Sequence, residues 1–453
     1  MKKLISILVF SAVLCRVCLA GFTNDLWTYP DRIPVLCVAP NGGILAFASH
    51  KPTGVVGDDG YSIVTLRRSM DNGATWTAMQ TVADDGTNTF GTGAVIVDPS
   101  TGKIFLLDEW NLANDTEAQI NAGTSVDVFH IYLQSSSDSG TNWTAPVDIS
   151  SSLRPAGDWR VMYAGPATGS TLSNGRLITS GYHGLGTNTT GVYTNYYPHT
   201  IYSDDHGTTW HYGESATNPI ISGFGENSIV QLTNGNIMMI SRNDYTAPPM
   251  GVSISTDSGA TWSAFTNSAT LNGPGCFAPF IRYTKPPAYG KTRLLFADPD
   301  NNTVRADGRV RLSYDEGQTW PVVKQYFPTL FGYSALTVLP NGDWAILAEN
   351  GTNTYYDKIT FISDTLSNLT SGADALDPQT NSQPTLSVSI SGTNVLVSWP
   401  ASATNFSLQQ NIDPNGTSWT NPVGAGPIVV TNGQNQLWLS PTNADIFFRL
   451  ISP

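Results

Sequence analysis

An octapeptide of the form Ser-x-Asp-x-Gly-x-Thr-Trp recurs along this chain and narrows what it can fold into. Four copies keep the pattern: Ser69 to Trp76, Ser203 to Trp210, Ser255 to Trp262 and Ser313 to Trp320. A further copy, Ser136 to Trp143, carries Asn142 in place of the threonine. Their aspartates, Asp71, Asp138, Asp205, Asp257 and Asp315, stand 67, 67, 52 and 58 residues apart. Repetition at such a period marks a fold assembled from one supersecondary unit used again and again. Within each copy, Ser and Asp side chains can bond backbone N–H groups two residues on, and Gly supplies the positive φ of a tight turn. The tryptophan is expected to fold back under the turn as an apolar plug. Strand-like runs flank the copies, such as Ser62 to Leu66 before the first and Val310 to Leu312 before the last. Each unit therefore reads as a small antiparallel sheet, and such sheets repeated radially make a β-propeller. The octapeptides themselves are expected to be structural turns without chemistry.

With 453 residues the chain is too long for one simple core. Residues 1–20 start with Lys2 and Lys3, continue as an apolar run from Leu4 to Leu14 and end on Cys18-Leu19-Ala20. That pattern predicts a secretory signal peptide, hence a bacterial protein that is secreted or periplasmic. The run is too short for a membrane helix and no later stretch qualifies, so no membrane span is expected. Residues 21–366 carry the uniform pattern of short strands, turns and boxes and predict the propeller. Its last blade is expected to combine Ser334 to Leu347 with an early strand near Val35 to Pro40, closing the ring. Residues 367–384, rich in small polar residues, predict a linker. Residues 385–453 alternate anew, as in Leu386 to Ile390 and Val395 to Trp399, and predict a small β-sandwich. There Trp419 and Trp438 are expected to fill a small core, the alternative being platforms for a carbohydrate.

A net charge of −13 argues against nucleic acid and anionic membrane surfaces as partners. With only 22 Lys plus Arg, an anionic substrate would need a local cluster of arginines. Beyond the signal peptide only Cys37 and Cys276 remain, either as one disulfide or as two buried thiols. No Cys/His cluster has metal-ligand spacing, so neither metal nor cofactor is expected. The chain is expected to be a monomer.

The octapeptide resembles the Asp-box of the sialidase (neuraminidase) superfamily, whose members are six-bladed propellers. Other motifs resemble that family in its order. Arg32-Ile33-Pro34 is similar to the motif that opens sialidase domains and contributes the first of three arginines. Asp58 lies eleven residues before Ser69, the position of the family's general acid/base; a one-residue gap would put Asp59 there instead. The run from Glu226 to Leu232, followed by Met238 to Arg242, resembles the segment carrying the catalytic glutamate and the second arginine, Arg242. Arg305, eight residues before Ser313, matches the third. Gly332-Tyr333-Ser334 resembles the nucleophile motif, and Glu349 the glutamate that orients the first arginine. Each match alone is weak. With Gly165 to Gly169 and Asn174 to Leu177, which resemble a strand pair typical of the family, seven elements in family order across the propeller are hard to produce by chance.

The resemblance implies an exo-α-sialidase acting on sialylated glycans, whether glycoproteins, glycolipids or oligosaccharides. Sialic acid carries a carboxylate on its anomeric carbon, which three arginines can hold with charge-assisted, bidentate bonds. A carboxylate nucleophile would face that charge, whereas a tyrosine activated by a glutamate avoids the repulsion. By resemblance Tyr333 attacks, Glu226 takes its proton, and Asp58 protonates the leaving oxygen. One stretch departs from the pattern: where many sialidases have an aspartate and an arginine, this chain has His50-Lys51. Lys51 can replace the arginine as a cation but not as a bidentate fork. That leaves a related nonulosonic acid or transglycosylation as alternatives, with a non-catalytic glycan-binding propeller beyond them.

Overall fold

The computed structural model of the chain describes residues 21–54, 57–155, 159–185, 196–216, 223–244, 249–378, 386–391, 394–401, 407–413, 418–422, 426–431, 434–439 and 446–451. The expected signal peptide lies outside these residues, as does 379–384 of the expected linker. Among the described residues strands dominate, and the helices are short: Glu117–Ala122, Ser150–Leu153 and Leu366–Leu369. The chain forms two compact units, residues 1–286 with 291–376 and residues 287–290 with 377–453.

In the first unit antiparallel sheets follow one another along the chain. Arg32–Val38, Ile44–His50, Ile63–Ser69 and Gln80–Ala83 make the first. The second is built on Thr89–Val97, Ile104–Asn111 and His130–Ser136, the third on Trp159–Tyr163, Leu177–Leu185 and Tyr196–Ser203. Phe224–Gln231, Ile237–Asn243 and Gly251–Ser255 carry the fourth. A last, seven-stranded sheet runs from Phe280–Thr284 to Lys358–Asp364 and ends on the N-terminal strand Thr23–Thr28. In it the 17-residue strand Val322–Val338 serves twice, its first half pairing with Ala306–Ser313 and its second with Trp344–Gly351.

The chain thus closes on itself as a propeller does, but not through the strand expected. Thr23–Thr28 joins the last sheet, while Val35 lies in the strand that opens the first. The cause is local. A tight turn, with Ala39 N–H bonded to the Gly43 carbonyl at 2.8 Å, ties Arg32–Val38 to its neighbour Ile44–His50. That hairpin makes Arg32–Val38 the opening strand of the first sheet, and Thr23–Thr28, paired with Lys358–Asp364, closes the last.

The expected linker is also shorter than composition implied. The helix Leu366–Leu369 buries Leu366 and Leu369, and Asp374 bonds to Arg293 Nε at 2.8 Å and to Lys291 Nζ at 2.9 Å. Residues through Leu376 therefore belong to the first unit. Cys37 and Cys276 are both free and buried, and burial alone pushes the Cys37 thiol up to about 12.

The boxes act as clasps between sheets. In the first, Ser69 Oγ accepts from Gly73 N–H at 2.9 Å, and Asp71 accepts from the Thr75 N–H and hydroxyl at 2.8 and 2.6 Å. Where asparagine replaces threonine, the Asn142 amide makes the same bond to Asp138 at 2.7 Å. Positive φ is needed at two consecutive residues: His206 at 58° and Gly207 at 80° in the third box. At Gly207 a Cβ would also lie 2.2 Å from Phe105 of the preceding sheet. The tryptophans reach across in the same way. Trp76 meets Phe361, Trp143 meets Phe47 and Trp210 meets Phe105, with centroids 5.0, 5.8 and 5.6 Å apart. The Trp210→Ala variant is accordingly expected to lose about 3–5 kcal/mol of stability, by cavity formation at a buried inter-sheet contact. Thermal melts check this. The folded fraction should keep its specific activity, and lost activity without lost stability would place the box in the functional site.

The second unit has its own core of Val397, Trp399, Leu408, Leu437, Leu439 and Leu450, contributed by a four-stranded sheet and a two-stranded one. Trp419 and Trp438 do not fill it, contrary to expectation. Trp438 is 41% exposed, and Arg449 lies over the Trp419 ring at 4.3 Å. Trp399, on the inward-facing register of Asn394–Pro400, takes the central place instead.

Candidate active site

Strand irregularities aim the side chains that meet in one cavity. The pairing slips between Arg32 and Val35, Gly91 and Ala94, Phe224 and Asn227, and Phe331 and Ser334. A bulge bends its strand and turns one residue out of the alternation. These four carry Ile33, Thr92, Glu226 and Tyr333, which all line a cavity of about 320 Å³. Ile33 adopts φ 59°, a strained conformation for a β-branched residue, while its N–H donates to Glu349 Oε1 at 2.9 Å. Of the residues singled out in the sequence, Arg32, Lys51, Asp58, Asp59, Glu226, Arg242, Arg305 and Tyr333 line this cavity. Glu349 lies behind them, fully buried.

At the centre the Tyr333 hydroxyl donates to Glu226 Oε1 at 2.5 Å. Arg242 Nη1 reaches the same phenol oxygen at 2.5 Å and also pairs with Glu226 Oε2. Burial pushes the phenol well above its ordinary range, with Arg242 working against it. Burial likewise raises the Glu226 carboxyl, which Arg242 and the Tyr333 hydrogen bond oppose. A hydrogen bond thus links phenol and carboxyl, and the neighbouring guanidinium favours the anion of either.

The other cations are held in place around that pair. Glu349 takes Arg32 Nε at 3.2 Å and the Tyr333 N–H at 3.1 Å, joining the first and last sheets. Arg32 Nη1 donates to Asp58 Oδ1 at 2.6 Å. Arg305 Nη2 donates to the Gly275 carbonyl at 2.8 Å, and its guanidinium lies 5.1 Å over the Tyr333 ring. Gly332 is needed here, because a Cβ would lie 2.5 Å from Glu349 Oε2 and 2.7 Å from the Tyr355 ring. Lys51 donates to the backbone carbonyls of Asp58 and Asp59 at 3.0 and 3.1 Å. It thus fixes the loop that carries both aspartates, and burial holds its pKa below the ordinary range. The two aspartates differ: Asp58 presents its carboxylate to Arg32, whereas Asp59 accepts from the backbone N–H of Glu117 at 3.1 Å.

Several lining residues carried no sequence signal that would single them out. Asp244 pairs with Arg242 Nε at 2.7 Å. Glu117 opens the short helix Glu117–Ala122, capped by Thr116, and accepts from the Tyr196 hydroxyl. Burial pushes its carboxyl up to about 7. Glu109, from Ile104–Asn111, is raised well above the carboxylate range, first by burial and then by Glu226 and Glu117. Tyr355 comes from the loop after Trp344–Gly351. Among the described residues no group of three or more His, Cys, Asp or Glu could hold a metal ion. The arrangement offers a cluster of cations for a carboxylate, a polarised phenol at its centre and an acid at its mouth.

The model of a BNR repeat-like domain matches residues 57–346. A sialidase of Micromonospora viridifaciens is 33% identical over 338 residues, 72% of this chain and 50% of that protein. A sialidase of Bacteroides fragilis is 25% identical over 339 residues, 70% and 60% of the two chains. The chain thus spans about half the length of the first of these curated relatives. Among solved structures, the Hadza microbial sialidase Hz136 superposes with a TM-score of 0.64 at 26% identity, over 75% of this chain and 66% of that one. The leech intramolecular trans-sialidase gives 0.63 at 17% identity, over 79% and 72%, a likeness of fold.

Proposed function

The chain belongs to the sialidase family, and from that premise we propose that it hydrolyses terminal α-linked sialic acid from glycans as a retaining exo-α-sialidase. The observation that carries this reading is the 2.5 Å hydrogen bond from Tyr333 to Glu226 inside a ring of three arginines. A glycan-binding protein has no use for a phenol poised on a buried base.

In this mechanism the substrate carboxylate settles on Arg32, Arg242 and Arg305 with charge-assisted bonds. It takes the place on Arg32 that Asp58 occupies, so Asp58 is freed toward the leaving oxygen. Glu226 accepts the Tyr333 proton as the phenol oxygen attacks the anomeric carbon, and Arg242 stabilises the phenolate character that develops. Asp58 protonates the departing oxygen. It then takes a proton from a water that displaces Tyr333, and Tyr333 recovers its proton from Glu226. Lys51 and Asp59 position the loop. The proposed setting is secreted or periplasmic, as residues 1–20 suggest, and the proposed partners are sialylated glycoproteins, glycolipids and oligosaccharides.

Two inversions at one carbon return the starting configuration. The first-formed sugar is therefore expected to be the α-anomer, seen by proton NMR before it mutarotates. Immediate release of the β-anomer would mean direct attack by water and would remove Tyr333 from the nucleophile's role.

A further inference from the structure

A row of tyrosines leads from the cavity out to the surface. Tyr355 lines the cavity, between the Arg305 guanidinium at 4.9 Å and that of Arg32 at 5.6 Å. Tyr356 follows edge-on, its centroid 4.9 Å from that of Tyr355. Tyr29 then stacks on Tyr356 at 5.8 Å and an interplanar angle of 15°, and is 47% exposed. The row is pre-organised. Asp357 accepts the backbone N–H groups of Thr352, Asn353 and Thr354 at 2.9, 2.8 and 3.0 Å, and its carbonyl takes the Tyr29 N–H at 2.9 Å. Arg32 sits 5.2 Å over Tyr356 as well.

Tyr29, at the outer end of the row, is left half-exposed. Large aromatic rings left at a cavity mouth mark a recognition surface. The row also lies on a particular side. Asp58, with a side chain 70% exposed, bonds to Arg32 at 2.6 Å, and the same guanidinium lies over Tyr356. The acid must face the leaving oxygen, so the sugar attached to that oxygen departs over this rim. The C–H bonds on one face of a pyranose are weakly positive and match the negative face of an aromatic ring. We infer that Tyr29, backed by the stacked ring of Tyr356, forms the binding platform for the pyranose of the leaving group, the sugar next to the sialic acid. This rests on the glycosidase reading for the direction in which the aglycone leaves.

The experiment compares sialyllactose with the methyl α-ketoside of sialic acid, which has no second sugar. In Tyr29→Ala, KM for sialyllactose should rise about fivefold to tenfold, as expected for one lost aromatic contact. The loss should be confined to the substrate that carries a sugar aglycone, and Tyr29→Phe, which keeps the ring, should restore it. Equal losses on both substrates, or none on sialyllactose, would overturn the platform. Saturation-transfer NMR with lactose alone reads binding without turnover: transfer to the sugar in wild type, lost in Tyr29→Ala. No transfer in wild type would also overturn it. A wild type that binds lactose but cleaves neither ketoside would keep the platform and refute the hydrolase.

Discussion

Tyr333→Phe is expected to lower kcat on any α-sialoside by at least about a thousandfold, the scale on which loss of a nucleophile is felt. The substitution removes a single oxygen. The ring stays packed with Ala167, Cys276 and Phe277, and Glu226 keeps its pairing with Arg242, so the melting temperature should change little. The arginines also stay, so a non-cleavable sialic acid analogue should still bind. The pairing of retained binding with lost turnover separates the loss of a nucleophile from a collapsed site. Steady-state kinetics and a calorimetric titration on one preparation measure both. Activity within about tenfold of wild type would show that the phenol oxygen does not attack.

Arg242→Ala and Arg305→Ala should both cripple catalysis, yet differ in stability. Each removes a partner of the substrate carboxylate, and truncating one partner of a buried charge pair costs roughly 2–5 kcal/mol, a fall of about 30-fold or more in kcat/KM. Arg242 additionally holds two buried carboxylates, Glu226 and Asp244. Without it these are left as uncompensated charge or must bind protons, at a cost of roughly 3–5 kcal/mol to the fold. Arg305 holds one carbonyl and lies over aromatic rings, so its loss should leave stability nearly unchanged. Denaturant melts of the two variants, run beside the kinetics, test the contrast. Equal stabilities would mean that Arg242 is not the counter-ion of that carboxylate pair.

Lys51 shows what residue type alone leaves open. As a cation at the place of a family arginine it is expected at the substrate, and it does line the cavity. Its ammonium also binds the carbonyls of the loop that carries Asp58. Side-chain charge is written in the sequence, but the direction in which a flexible four-carbon stem points is set by whichever acceptors fold around it. The closing strand teaches the same lesson. Val35 to Pro40 reads as a strand in the sequence, but only the pairings place it beside Ile44–His50 and put Thr23–Thr28 on the last sheet.

The repeated octapeptide carries the fold class within itself, because each copy encloses its own hydrogen bonds: glycine to serine, and threonine or, in one copy, asparagine to aspartate, all inside eight residues. Local bonds need no distant partner, so they are legible at sight. The motif residues Arg32, Asp58, Glu226, Arg242, Arg305 and Tyr333 were likewise recognisable by their order. Glu109, Glu117, Asp244 and Tyr355 were not, since each is an ordinary residue in a strand or loop until closure of the ring sets it against a partner far along the chain. The aromatic row is the extreme case. Tyr29 and Tyr356 are separated by almost the whole first unit, and no spacing links them. They stack because the first strand pairs with the strand that follows Tyr356. That contact exists only once the ring has closed.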